Sequence, residues 1–207
     1  MKRLVLLFGI LGGMIPFTLF SQCFCETAAR KGGHFFASTY FQPGFQTFKD
    51  QEMNPGRTAL IPGLKIGFTL NTALSLEFGA ETVYYDNISR AAYNPLEDTR
   101  YLFLPMAFVL QKQNAKDRFI PFVSFGINHQ IRLNSRLYAP EGSSITNEET
   151  TKGYLNTQAQ ISGGLRMIIS DHTSWNAGII YRKSLGNGEP QDPDQFIGLQ
   201  LAFNIHF

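Results

Sequence analysis

The chain has 207 residues, 43% hydrophobic and 14% aromatic but only 16% charged, with a mean hydropathy of -0.11. That excludes a disordered polyelectrolyte and a bundle of apolar membrane helices. The 19 Phe, 8 Tyr and 19 Gly suit aromatic-rich sheets rather than Ala/Leu/Glu/Lys helices, so one all-β domain is expected.

Lys2 and Arg3 precede an apolar run from Leu4 to Phe20, broken by Gly12, Gly13 and Pro16. The order of charge, apolar stretch and small residues is that of a secretory leader over residues 1–25, cleaved between Gln22 and Glu26, with a mature domain over 26–207. Loss of Lys2 and Arg3 takes Lys plus Arg from 18 to 16 against 16 Asp plus Glu. The exported domain is then formally neutral, which argues against nucleic acid as a partner. Cys23 and Cys25, the only cysteines, fall at the cleavage region, so neither a disulfide framework nor a cysteine metal site is expected.

In chain order, aromatic and aliphatic stretches recur at His34 to Phe45 and Ala59 to Leu70. From Leu74 the period is strictly two, with Leu74, Leu76, Phe78, Ala80 and Thr82 opposed to Ser75, Glu77, Gly79 and Glu81. Weaker strands follow at Tyr101 to Gln111 and Arg118 to Arg132. A second strict alternation begins at Asn156, separating Gln158, Gln160, Ser162, Gly164 and Arg166 from Ala159, Ile161, Leu165, Met167 and Ile169. Ser174 to Ser184 is the seventh stretch. The last opposes Ile197, Leu199, Leu201, Phe203, Ile205 and Phe207 to Gly198, Gln200, Ala202, Asn204 and His206.

The connections alternate in length. Short turns stand at Asn71-Thr72, Gln113 to Asp117 and Asp171 to Thr173. Long loops stand after the first strand, at Asp86 to Arg100, at Asn134 to Gly153 and at Leu185 to Asp194. In an up-and-down sheet this places every long loop at one end, the asymmetry of an eight-stranded antiparallel transmembrane β-barrel with short periplasmic turns and long extracellular loops. Period alone does not choose an apolar inside from an apolar outside. The polar sides carry Gly, Asn, Gln and Ser with isolated charges rather than a solvated Lys/Glu face, which points them into the lumen and the apolar sides to lipid.

Lys65, Glu77, Glu81, Arg118, Arg132, Arg166 and Arg182 share the polar parity and are expected to form an ionic network filling the lumen. Glu148, Glu149, Asp192 and Asp194 read as solvated loop acids. Tyr84, Tyr85, Tyr101, Tyr138, Tyr154, Trp175 and Tyr181 near strand ends read as interfacial girdles. His34, His129, His172 and His206 lie on separate elements, and Ser124 and His129 have opposite parity, so neither a metal, a cofactor nor a catalytic site is expected.

The end of the chain, from Gln200 through Ile205 to the terminal Phe207, looks like the assembly signal by which outer-membrane barrels are handed to their assembly machinery. Tyr101-Leu102-Phe103-Leu104-Pro105-Met106, Pro121-Phe122-Val123-Ser124-Phe125-Gly126, Gly163-Gly164 and Tyr181-Arg182 leading into Leu185-Gly186-Asn187 extend the likeness. The chain resembles, over most of residues 34 to 207, the porin-family outer-membrane β-barrel domain of Gram-negative bacteria, including its PorT-like branch. The resemblance implies the outer membrane as location, lipid as surroundings and an envelope role, with membership of a secretion machine among its forms. The expected function is that of a small closed barrel acting as a structural or interaction module through its extracellular loops. A narrow channel for small solutes is the alternative, and a soluble ligand-binding barrel a more remote one.

Overall fold

Each of the eight expected alternations forms a strand. The computed structural model describes residues 33–52, 54–89, 96–112, 118–138, 155–186 and 192–207. The expected leader, Cys23 and Cys25, Glu148 and Glu149, Tyr154 and the segment 139–154 lie outside the described residues. The strands are β1 (His34–Phe48), β2 (Arg57–Thr69), β3 (Leu74–Ser89), β4 (Leu96–Gln111), β5 (Phe119–Tyr138), β6 (Leu155–Ile168), β7 (Thr173–Ser184) and β8 (Pro193–His206). Every strand is antiparallel to its chain neighbours, and β8 returns to β1 to close the barrel.

The short ends close as local chemistry dictates. Asn71 Oδ1 accepts from the amides of Ala73 and Leu74 at 2.8 and 2.9 Å, fixing the β2–β3 turn. Ser170 and Thr173 hold the β6–β7 turn through their hydroxyls, 2.7 Å apart.

Several strands run further than the alternation indicated. Asp86–Ser89 and Leu96–Arg100 were expected as loop but pair as the top of β3 and β4, with Ile88 opposite Glu97. β5 reaches 20 residues against the 12 of β7, and β8 begins at Pro193 instead of Ile197. These extensions lie at the long-loop end, where a strand leaves lipid for water. The sequence there loses its apolar alternation although the backbone ladder continues.

Burial decides the polarity. Leu64 and Ile179 are 63% and 59% exposed, and Phe35, Ile66, Leu165, Ile197 and Leu199 are exposed with them, while Ser38, Gln42, Asn128, Gln158 and Arg166 are buried. An apolar wall around a polar interior is the reverse of a soluble barrel and fits a hydrocarbon surround, where strands cross only as a closed sheet. A one-residue slip in any strand would exchange the two faces, so this pattern also fixes register.

Glycines on the inner face make room for rings. A Cβ at Gly67 would collide with the Phe36 ring, and one at Gly63 with the Tyr40 ring. Gly67→Val is expected to destabilise the barrel by about 1–3 kcal/mol through overpacking. Urea unfolding in lipid vesicles, followed through the single tryptophan Trp175, measures it.

Candidate functional site: the barrel interior

Closure of the wall brings polar side chains from distant strands into one small space. At its centre Arg182 meets Glu81 with both terminal nitrogens, each 2.6 Å from a carboxylate oxygen. This two-pronged geometry is the strongest form of the pair. The Tyr40 hydroxyl donates to Glu81 at 2.7 Å, and Arg182 Nε donates to Gln160 at 3.0 Å. Below, toward the short turns, Lys65 Nζ lies 2.7 Å from Glu77, whose other oxygen is 3.9 Å from Arg166. Arg166 also donates to Asn176 and Gln111 at 3.0 and 2.8 Å.

Toward the long-loop end the interior turns apolar. Phe48, Ile61, Val83, Tyr85, Tyr101, Phe103, Ile180 and Phe196 form one buried cluster, with Phe48 edge-on to Tyr85 at 5.2 Å and Tyr101 stacked on Phe103 at 6.2 Å. The Arg182 guanidinium lies 6.0 and 5.7 Å from the Phe103 and Phe196 rings, which joins this plug to the ionic layer. Above it Arg132 meets Asp192 at 2.9 Å, and the Tyr101 hydroxyl reaches the same oxygen at 3.3 Å. At the rim Asp194 sits between Lys49 at 3.3 Å and Lys183 at 2.6 Å.

Six of the seven charges expected in the lumen lie there: Lys65, Glu77, Glu81, Arg132, Arg166 and Arg182. Arg118 does not. It occupies a bend before β5 and is exposed, because its parity has meaning only inside a strand and β5 starts one residue later. Asp192 and Asp194 correct the opposite way. Asp192 is fully buried, and both side chains are ion-paired. The early start of β8 carries Asp194 inward, the Lys49 amide holds the Asp192 carbonyl at 3.1 Å one residue before β8, and the buried Arg132 has its counter-charge in Asp192 while Glu77 pairs with Lys65 and Glu81 with Arg182. Tyr85 and Tyr101 likewise leave the expected girdle for the plug, whereas Tyr84 and Tyr181 do face outward.

The histidines were expected apart, yet three of them converge at the short-turn mouth. His34 Nε2 is 3.1 Å from His206 Nδ1, Ser174 Oγ is 2.9 Å from His206 Nε2, and His172 Nδ1 is 3.3 Å from the His206 carbonyl. Only closure of β1 on β8 makes the first contact, and no sequence spacing reports it. Ser124 bonds Ser162 inside the bore at 2.6 Å, while His129 bonds Thr157 on β6 from the other face. Among the described residues no group of three or more His, Cys, Asp or Glu side chains is placed to hold a metal ion. At the C-terminus Gln200 points inward, Ile205 and Phe207 face out, and the Phe207 amide donates to the Phe35 carbonyl at 2.9 Å.

Among the described residues the centre holds a cavity of about 20 Å³ lined by Tyr40, Gln42, Lys65, Glu81, Gln160 and Gln200 among others. That is room for roughly one water.

No family model matches the sequence, and no curated protein matches it. Solved structures do. Neisserial surface protein A aligns with a TM-score of 0.59 at 10% identity, over 84% of this chain and 97% of that one. The outer membrane protein OprG from Pseudomonas aeruginosa gives 0.54 at 13%, over 88% and 100%. Ail, the attachment invasion locus protein of Yersinia pestis, gives 0.51 at 10%, over 84% and 98%. At such identities the likeness is one of fold. Together with the apolar wall and ionic interior it defines the class: an eight-stranded outer-membrane β-barrel, located in the outer membrane.

Glu81→Ala leaves Arg182 buried without its carboxylate and is expected to cost about 3–5 kcal/mol, while replacing both residues by apolar ones of similar volume restores most of that loss. Urea midpoints of the single and double variants in vesicles test the difference.

Proposed function

We propose that this protein is a closed, non-conducting barrel that serves the envelope as a structural and interaction module through its extracellular end, including as an accessory of a larger envelope machine. The carrying observation is that, among the described residues, an ionic layer and an aromatic plug lie across the bore and the central cavity between their side chains has room for about one water. Such a lumen supports a role outside the wall rather than passage through it. The long ends of β3, β4 and β5 offer the surface. Tyr84 donates to Asp98 at 2.7 Å there, with the Arg100 guanidinium 5.7 Å from its ring, an aromatic and charged face suited to a protein partner.

The reading includes no catalysis. Ser174 and His206 touch, but both are buried among side chains, which leaves a substrate no approach. It also takes Gln200, Ile205 and Phe207 as the signal read by the barrel assembly machinery.

Planar bilayers test the closed bore: the native protein is expected to stay silent through many insertions. Reproducible unit conductance would overturn the reading in favour of a narrow solute channel. Removal of Phe207, which projects 72% exposed beyond β8, is expected to lower the amount assembled in the outer membrane of a Gram-negative host while leaving refolding of the purified chain in detergent intact. Equal loss in both would make the residue structural instead.

A further inference from the structure

The closing seam between β8 and β1 is held differently at its two ends. At the long-loop end Gln46 Nε2 donates to the Gln195 carbonyl at 2.7 Å, the Lys49 amide donates to the Asp192 carbonyl at 3.1 Å, and Lys49 Nζ lies 3.3 Å from Asp194. At the short-turn end the first residue of β1 and the last of β8 are both histidines, His34 and His206. Their rings share one hydrogen bond, between Nε2 and Nδ1, at 3.1 Å, and both are buried.

His206 is the hub of that end. Its ring lies against those of Phe36 and His34, at centroid distances of 5.5 and 5.2 Å. Its Nε2 is 2.9 Å from Ser174 Oγ, to which Asn204 Nδ2 donates at 2.9 Å. Its backbone N–H donates to the His172 carbonyl at 2.8 Å, and its own carbonyl accepts from His172 Nδ1 at 3.3 Å. One residue on, the Phe207 amide donates to the Phe35 carbonyl at 2.9 Å. The β1–β8 ladder begins here, at Phe36–His206. The last backbone bonds of the seam and the imidazole pair are thus one unit.

Proton counting decides what the pair can bear. A hydrogen bond between two ring nitrogens holds one proton, which two neutral rings supply and which a pair with one extra proton also supplies. Two charged rings would set N–H against N–H at 3.1 Å. Among the described residues the other charged and titratable groups acting on His206 are Arg166 from β6 and His172 from the β6–β7 turn, with Glu77 of β3 beyond Arg166 at 3.9 Å. Asp171 stands beside His172 in that turn, partly exposed. Like charges at such range disfavour the closed form. Carboxylates ordinarily titrate at about 4 and imidazoles at about 6.5, so mild acid acts on the histidine end of the seam and spares the Lys49–Asp194 end.

We propose that the His34–His206 pair is a proton-operated latch on the closing seam, shut at neutral pH and released at the periplasmic mouth in mild acid, when both imidazoles are charged. Release frees the end of β8, with Ile205 and Phe207, from the start of β1 while the ladder above stays paired. The closed form binds at least one proton fewer than the released one, so it loses stability as pH falls through the ordinary imidazole range. One such proton shifts the opening equilibrium by roughly thirtyfold between about pH 8 and about pH 5. The latch goes beyond the closed-bore reading and stands whether or not the lumen conducts.

The test is amide exchange of the full barrel in phospholipid nanodiscs, read residue by residue by NMR and corrected for the intrinsic pH dependence of exchange. The His206 and Phe207 amides are expected to lose about tenfold or more of their protection between about pH 8 and about pH 5. The Leu70 amide, bonded to the Leu74 carbonyl at 2.9 Å at the same end of the wall, is expected to hold within about twofold. His34→Gln sets a side chain that both donates and accepts opposite His206, and the loss at Phe207 is expected to shrink to about threefold or less. His206→Gln leaves the other imidazole alone and is read the same way, while His172→Gln in the exposed turn keeps most of the loss. Faster migration of the unboiled band checks that each variant is folded. Unchanged protection of Phe207 in the native barrel, equal loss at Leu70, or a full loss that survives in either folded single-imidazole variant would overturn the latch. A loss abolished by His172→Gln would place the sensor in the turn and overturn the pair.

Discussion

Hydrocarbon offers no partner to a backbone amide or carbonyl, and the architecture follows from that fact. A sheet that crosses the membrane has to close, and here β8 pairs back onto β1. With the wall closed, the period of two sends half the side chains into lipid and half into a bore too narrow for bulk water. The outward half has to be apolar. The inward half has to be polar enough to keep the two faces from exchanging, and every charge it carries needs a partner inside the same small space. The Arg182–Glu81 pair, fed by Tyr40, Gln42 and Gln160, answers that need at the centre, and Arg132–Asp192 answers it nearer the loops.

The same constraint bears on the β2–β3 seam, where the ladder ends at Gly63–Glu81 although both strands continue, β2 to Arg57 and β3 to Ser89. Elsewhere the wall tolerates a proline by losing a pair or two and then recovering its ladder. Where it does not recover, an Arg57 clasp and an aromatic plug stand in for the missing bonds. The interior is thus built in two parts, an ionic layer and an apolar cluster behind that seam.

Much of this was legible in the chain. The strict alternations at Leu74, Asn156 and Ile197 report two faces directly, and the alternation of loop lengths orders the ends. The charges at 65, 77, 81, 132, 166 and 182 could be placed because a residue inside a strand inherits the parity of its neighbours. Legibility failed where that inheritance stops. Arg118 lies one residue before its strand and is solvated. Asp194 lies where the apolar alternation has ended but β8 has not, and Asp192 lies one residue before β8, so both read as loop although they are buried counter-ions. The His34–His206 contact and the end of the β2–β3 ladder at Gly63–Glu81 are facts of closure and pairing, which leave no mark on local period.

The most direct test of the central claim is to express the full chain in a Gram-negative host, fractionate the envelope and run the outer-membrane fraction on a denaturing gel with and without boiling. A closed barrel with an apolar wall and a paired ionic interior predicts a band in that fraction that migrates faster unboiled. Protein recovered in the soluble periplasm, with one mobility whether heated or not, would contradict it.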